Sequence, residues 1–232
     1  MTTQSGAHAF VEWADEMRFR HEAHVAKEVR MDFITYLWVP IVASAAAVWV
    51  LGAVIWMVMP HRKKEWQSVG DDERFQTTLR GFNLSPGYYM FPYCGGGEDM
   101  KSEKLQEMWK QGPVGTLHVW SGMRSMGACM GFSFIFNVVA STFVAYLAWN
   151  AFSNQASPNY LEVFQITATA AFMAYTFALI PGGIWFGKPI KSIMYDVLDG
   201  LVMGLVTGGV FGWLWPTIET TMNVDLGGAV TN

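Results

Sequence analysis

Charged residues are scarce in this sequence, and four long stretches have none. Asp, Glu, Lys and Arg make up 15% of the chain, against roughly 25% of an ordinary soluble domain. The stretches without any charge are 33–59, 125–161, 163–187 and 200–218. A helix needs about 20 apolar residues to cross the hydrocarbon core of a bilayer. The four stretches therefore exclude an ordinary soluble domain and indicate a protein that crosses a membrane several times.

The sequence is also poor in basic residues and cysteines, and its first 30 residues contain no long apolar segment. The formal net charge of −4 argues against a nucleic-acid-binding protein, which would carry a basic face. The first 30 residues contain acids and bases throughout, so we expect no secretory signal peptide. The two cysteines, Cys94 and Cys129, are expected to remain reduced, and we predict no disulfide.

What is present predicts an all-α polytopic membrane protein with four transmembrane helices. The apolar runs do not alternate with polar residues as the strands of a membrane barrel would. We place the helices at about Phe33–Met59, Met126–Phe152, Leu161–Phe186 and Tyr195–Trp215. The segments are an N-terminal amphipathic segment (1–32), transmembrane helix 1 (33–59), an insert (60–125), and a region with helices 2 to 4 and a short tail (126–232).

Lysine and arginine counts predict the orientation. The stretch 60–124 holds nine of these residues, and the connection between helices 3 and 4 adds Lys188 and Lys191. The connection between helices 2 and 3 has none, and the N-terminal segment has four bases beside six acids. We therefore expect the insert to be cytoplasmic and both termini to lie outside the cytoplasm of a bacterium, across its inner membrane.

The insert is predicted to contain short elements of its own. Asp71 and Asp72 can cap a short helix that stops near Gly81. Ser102–Lys110 is expected to form a second helix, with Leu105, Met108 and Trp109 facing inward. The sequence "GTLHVW" (115–120) alternates weakly and is expected to pair with "YYMFPY" as a small hairpin.

Several of these segments resemble a known group of proteins. The resemblance rests on "HRKKEW" after helix 1, the short acidic helix, "LSPGYYMFPY", "GPVG" and the terminal "FGWLWP". Together they resemble an uncharacterised family of bacterial four-helix integral membrane proteins, over roughly residues 33–216. The family has no established activity, so the resemblance implies a fold and no function.

A cluster of sulfur side chains is the strongest candidate metal site. Thioether and thiolate groups select Cu(I), and on one helix face these residues would stand at positions i, i+3, i+6 and i+7: Met123, Met126, Cys129 and Met130. Methionine also fills irregular gaps in packed cores, and the chain has 15 of them. We favour packing over copper binding and expect no cofactor.

Acidic residues near helix 4 raise the question of an ion path. Asp196 and Asp199 fall near its predicted start, where they would cap the helix at the interface and balance its dipole. Membrane transporters that move protons usually carry ionisable groups inside their spans. Here the spans offer hydroxyl and amide groups such as Ser44, Asn137 and Ser141, so a channel for a neutral solute is the remaining transport alternative.

Small residues recur every four positions in helices 3 and 4. The connection between these helices is short, so they must be antiparallel neighbours, and small residues let helix backbones approach closely in a membrane. We predict that one row packs on the other and that Gly204→Leu destabilises the protein. The rows are Gly200, Gly204, Gly208 and Gly212 in helix 4 and Ala170, Ala174, Ala178 and Gly182 in helix 3.

No motif for catalysis stands out, so a non-enzymatic role is favoured. We expect an accessory, assembly or scaffold subunit that contacts the lipid bilayer and other membrane-protein subunits. Its partner surface is expected to comprise the aromatic residues Tyr88, Tyr89, Phe91, Tyr93, Phe10 and Trp13. The alternatives are a small oligomeric channel or carrier for a neutral solute and, as the least favoured, a copper-handling protein.

Overall fold

The structure, a computed structural model, describes residues 33–152, 155 and 157–216. The predicted N-terminal amphipathic segment, with Phe10 and Trp13, lies outside the described residues. The helices are α1 (Phe33–Val58), α2 (Pro60–Lys63), α3 (Asp72–Gly81), α4 (Glu103–Gln111), α5 (Met126–Ala151), α6 (Tyr160–Thr176), α7 (Leu179–Trp185) and α8 (Ile190–Leu214). The strands are β1 (Gly87–Phe91) and β2 (Gly115–Val119), with one 3₁₀ turn at Asp99–Lys101.

Four helical spans in this structure are long and apolar enough to cross a membrane. Among the described residues, these spans are Phe33–Val58, Met126–Ala151, Tyr160–Trp185 and Ile190–Leu214. Each lies within a few residues of a predicted helix, which confirms a mostly helical, multi-pass membrane protein.

The third span is interrupted once, between α6 and α7. Phe177 and Ala178 form a turn there. Pro181 accounts for its position, because a proline has no backbone N–H and its ring collides with the carbonyl four residues earlier, here that of Phe177. The row of small residues predicted for helix 3 therefore runs across a break in the helix.

The fourth helix starts five residues earlier than predicted, at Ile190 instead of Tyr195. Gly187 turns the chain with a φ of 68°, and the carbonyl of Pro189 then accepts the backbone N–H of Ile193 at 3.2 Å. The helix thus extends beyond the charge-free run, and this early start changes the positions of the acids within it.

The insert contains the predicted short elements. Asp71 caps α3 by accepting the backbone N–H of Arg74 at 2.9 Å, and α4 ends at Gly112, whose φ is 63°. Strands β1 and β2 pair antiparallel from Gly87 opposite Val119 to Phe91 opposite Gly115, which confirms the predicted hairpin. In α4, Leu105 is buried as expected, but Met108 is 44% exposed, so its predicted inward position is wrong.

The chain divides into two compact units, which we describe separately. Among the described residues, the terminal unit comprises 33–48, 137–152, 155, 157–171 and 204–216, and the insert unit comprises Trp49–Phe136 and Phe172–Met203. In the terminal unit, the core combines small and branched side chains with one aromatic ring, all close to full burial: Leu37, Ala45, Val48, Val144, Ala145, Ala148, Val163 and Phe211. Such small side chains allow close helix packing where lipid removes the hydrophobic driving force.

The glycines of α8 have neighbours other than the predicted alanine row. In the insert unit, a Cβ atom on Gly200 would collide with the hydroxyl of Thr176, and in the terminal unit a Cβ on Gly208 would lie 2.6 Å from that of Ala168. A Cβ on Gly212 would lie 2.8 Å from the ring of Tyr160. These contacts correct the predicted pairing for three of the four glycines: Gly200, Gly208 and Gly212 meet Thr176, Ala168 and Tyr160, while Ala174 and Ala178 are exposed.

Candidate functional site

A buried arginine follows the first membrane-spanning helix. The single turn α2 begins after Met59, whose backbone is extended. Pro60 occupies the first helical position, where a proline is favoured. This turn directs Arg62 into the insert unit, where the residue is only 3% exposed. A buried charge destabilises a protein by several kcal/mol unless it is paired, so the partners of Arg62 define the site.

Two aspartates of α8 are the first partners. The Nε atom of Arg62 donates to Oδ2 of Asp199 at 2.7 Å, and Nη2 donates to Oδ1 of Asp196 at 3.0 Å. Both aspartates are themselves buried, at 7% and 8% exposure. Residues three positions apart share a helix face, and one guanidinium therefore bridges both carboxylates of this face.

Two further side chains, Glu65 and Lys188, complete the cluster, and His61 lies beside it. Nη1 of Arg62 donates to Oε2 of Glu65 at 2.8 Å, and Nζ of Lys188 donates to Oδ2 of Asp196 at 2.6 Å. Nε2 of His61 lies 3.4 Å from Oδ1 of Asp199. We call Arg62, Glu65, Lys188, Asp196 and Asp199 the Arg62 cluster.

The cluster changes the proton affinities of its two members from the insert. Burial alone would raise the pKa of Glu65, but hydrogen bonds from Arg62 and Ser192 and the nearby positive charges outweigh it and lower that pKa. For Arg62, burial acts to lower the pKa, and the bonds to the three carboxylates outweigh it and raise the pKa. Both side chains are therefore held in their charged forms.

An aromatic ring covers the remaining face of the guanidinium. The central carbon of Arg62 lies 4.4 Å from the ring centre of Trp56, an arrangement that favours a cation. All three guanidinium nitrogens donate to carboxylates. Each nitrogen of the guanidinium is thus bonded within the protein, and the arrangement joins the end of α1 to α8.

The prediction that Asp196 and Asp199 cap helix 4 is wrong. Because α8 begins at Ile190, its first turn contains no acid, and both aspartates lie in its second and third turns. Sequence reasoning did not assign Arg62 or Glu65 to a site. Two acids on one face of an apolar helix were the available signal, because such acids need a buried cation.

The sulfur residues do not form the predicted helical face. Helix α5 begins at Met126, so Met123 precedes it and stands 94% exposed. Met126 is 72% exposed and Cys129 is an exposed free thiol, while the carbonyl of Met130 accepts the indole N–H of Trp49 at 2.9 Å. Among the described residues, no group of three or more His, Cys, Asp or Glu side chains is arranged to hold a metal.

The hairpin presents an aromatic ladder that sequence analysis identified only in part. Tyr88 lies opposite His118 in the strand register, and their rings stack 4.1 Å apart. The indole N–H of Trp120 donates to Nδ1 of His118 at 3.1 Å. Tyr88 and Trp120 are 83% and 53% exposed. We call Tyr88, His118 and Trp120 the aromatic ladder.

The other predicted partner residues of the insert divide between two environments. Tyr93 and Phe91 are 76% and 43% exposed. Tyr89 points to the opposite side of the strand, is half-buried, and donates its hydroxyl to the carbonyl of Ser85 at 2.6 Å. Of the predicted partner residues in the insert, Tyr88, Phe91 and Tyr93 are therefore exposed and Tyr89 is not.

Comparisons with protein-family models, with curated proteins and with solved structures find no match for this chain. The resemblance to uncharacterised bacterial membrane proteins stays a prediction.

Proposed function

We propose that this chain is a non-enzymatic accessory, assembly or scaffold subunit of a larger membrane complex. Its insert lies in the cytoplasm of a bacterium, both termini lie outside the cytoplasm, and the aromatic ladder binds a neighbouring subunit. The ladder is the observation that carries this proposal.

The ladder has the properties of a protein-binding surface. Tyr and Trp are enriched where proteins contact each other, because each buries a large apolar ring and retains a polar group. Here the two rings flank His118, which stacks on one and accepts a hydrogen bond from the other. These contacts order the surface in advance and reduce the conformational entropy lost on binding.

The Arg62 cluster supports a structural role for the membrane-spanning part. A proton carrier needs an ionisable group that exchanges its proton during transport. The buried carboxylates of Asp196 and Asp199 are instead bound to Arg62 and Lys188. Such a cluster fixes the position of one helix against another.

The transport alternative has less support from the polar groups of the spans. Ser44 and Ser141 are fully buried. Oγ of Ser44 lies 3.0 Å from Oγ of Ser141 and 3.1 Å from the carbonyl oxygen of Ile41. Their hydrogen bonds are directed to the protein rather than to a passing solute.

Purification from native membranes in a mild detergent tests the proposal. We expect the wild-type chain to elute with a stoichiometric partner and the double variant Tyr88→Ser/Trp120→Ser to lose it. Phe82→Ser is the matched control, because it removes an aromatic ring of the same insert that is 66% exposed and outside the ladder.

Two results would contradict the proposal. The first is a chain that elutes alone from native membranes, and the second is a double variant that keeps the partner as firmly as Phe82→Ser. Solute flux in liposomes that disappears in Gly204→Leu would favour the channel alternative.

A further inference from the structure

Exposed lysines surround the Arg62 cluster at the insert end of α1 and α8. Lys63 and Lys64 follow the first span directly, and Lys191 stands in the first turn of α8, all three with exposed side chains. The structure gives none of the three a carboxylate partner among the described residues. They therefore form the exposed charge at this end of the two helices.

The acids of this region do not neutralise these lysines. Glu65, Asp196 and Asp199 are each bound to Arg62, and Lys188 also lies beside two of these carboxylates. The segments 61–65 and 188–199 contain five Lys and Arg residues against three acids, which leaves an excess of two positive charges. The carboxylates of this region are thus paired inside the cluster, and the exposed lysines leave the surface with a positive charge.

Aromatic contacts gather part of this charge into one patch. The ring of His61 lies 4.9 Å from that of Tyr195, and the ammonium group of Lys191 lies 5.7 Å from the centre of the same Tyr195 ring. Lys64 continues the α2 turn, since its backbone is helical and its N–H donates to the carbonyl of Pro60 at 3.2 Å. It follows His61 by three positions, which places both on one side of that turn. We call His61, Lys64, Lys191 and Tyr195 the basic patch.

We propose that the basic patch binds the headgroup of an anionic phospholipid. The patch stands at the ends of two spans long and apolar enough to cross a bilayer, where lipid phosphates lie, and basic residues next to a span attract anionic lipids. Trp56, which is 50% exposed in the last turns of α1, supplies the amphipathic ring typical of this depth. The inference stands whether or not the aromatic ladder binds a subunit.

Lipid titration of the purified chain tests this inference. Wild-type protein in neutral detergent receives phosphatidylglycerol or phosphatidylcholine, and native mass spectrometry counts the retained lipids while a thermal scan records the unfolding midpoint. We expect phosphatidylglycerol alone to be retained and to raise the midpoint. Each of Lys64→Gln and Lys191→Gln is expected to weaken its binding about fivefold.

Lys101→Gln/Lys104→Gln is the matched control, because it removes two exposed lysines of the insert outside the patch. We expect it to bind phosphatidylglycerol like the wild type. Equal retention of phosphatidylcholine, or unchanged binding by Lys64→Gln/Lys191→Gln, would overturn the inference. Inorganic phosphate that raises the midpoint as much as phosphatidylglycerol would overturn the assignment to a lipid.

Discussion

Nε of Arg62 and Oδ2 of Asp199 lie 2.7 Å apart although 137 positions separate the two residues in the chain. The arginine stands in the single turn after the first span and the aspartate in the third turn of the last helix. Their contact links the turn after the first span to the last helix within the insert unit. The loss of either charge leaves the other buried without its full set of partners.

Arg62→Met is expected to destabilise the protein by about 3–5 kcal/mol, the usual effect of removing one partner of a buried ion pair. The variant leaves Asp196 and Asp199 buried without the guanidinium. Thermal or denaturant unfolding in detergent measures the loss. Arg80→Met, at an exposed position of α3, should change stability by less than about 0.5 kcal/mol, and an equally small effect of Arg62→Met would contradict the assigned role.

Asp199→Asn should partly restore the Arg62→Met variant. Neutralising one carboxylate removes one of the charges left without a partner, so the double variant is expected to be more stable than the sum of the two single losses predicts. A complete double-mutant cycle by denaturant unfolding gives the coupling. Strictly additive losses would show that the two side chains do not depend on each other.

Glu65 predicts a specific response to acid. Its pKa in the folded protein lies below the ordinary value of 4.5, so the unfolded chain binds the proton more readily. The stability that Glu65 contributes is therefore present above pH 4.5 and is lost as the pH falls through the folded pKa. The stability difference between wild type and Glu65→Gln is therefore expected to be largest at neutral pH and to narrow below about pH 4.5.

Unfolding midpoints between pH 7 and about pH 3 measure this difference. Glu98→Gln, at an exposed site, is the control and should differ from the wild type by a small, constant amount. A difference for Glu65→Gln that stays constant or widens in acid would contradict the lowered pKa.

Two adjacent glycines should respond in opposite ways to alanine. A Cβ on Gly208 would lie 2.6 Å from that of Ala168 and 3.0 Å from the carbonyl oxygen of Phe164, whereas a Cβ on Gly209 would meet only the Tyr160 hydroxyl, at 3.9 Å. We expect Gly208→Ala to destabilise the protein by about 1–3 kcal/mol and Gly209→Ala to stabilise it by up to about 1 kcal/mol through helix propensity. Denaturant unfolding of both variants provides the test, and equal effects would show that the close approach is unimportant.

The proposed orientation can be read from cysteine labelling. In a Cys129→Ser background, a membrane-impermeant maleimide should reach Cys94 of the insert only after the cells are permeabilised. A Ser157→Cys variant without the native cysteines should react in intact cells, because residue 157 is an exposed position of the connection between the second and third spans. The reverse pattern of labelling would show that the orientation is opposite to the proposed one.

The spans and the hairpin could be predicted because local sequence determines them. A charge-free run of sufficient length fixes a span to within a few residues, and the alternation in "GTLHVW" identified β2. The start of α8 could not be located this way, because a helix can continue past the apolar run into the interface. Gly187 and Pro189 set this start.

The sequence pattern could not predict which residues of different helices contact each other. Small residues occupy several faces of α6, so spacing alone could not distinguish Ala168 from Ala170 as the neighbour of a glycine. The Arg62 cluster was missed for a related reason: helical periodicity says which residues share a face, and it says nothing about the distant side chain that the face will meet.

The 137 positions between Arg62 and Asp199 also impose an order on biogenesis. The arginine leaves the ribosome long before the aspartates of α8 do, and a chain that stops before residue 190 never acquires them. Arg62 therefore stays without these carboxylates until the last helix arrives. The cluster is thus completed only after the last helix has been made, and a chain truncated before residue 190 leaves Arg62 with Glu65 as the one carboxylate that remains of the three it bonds in the full chain.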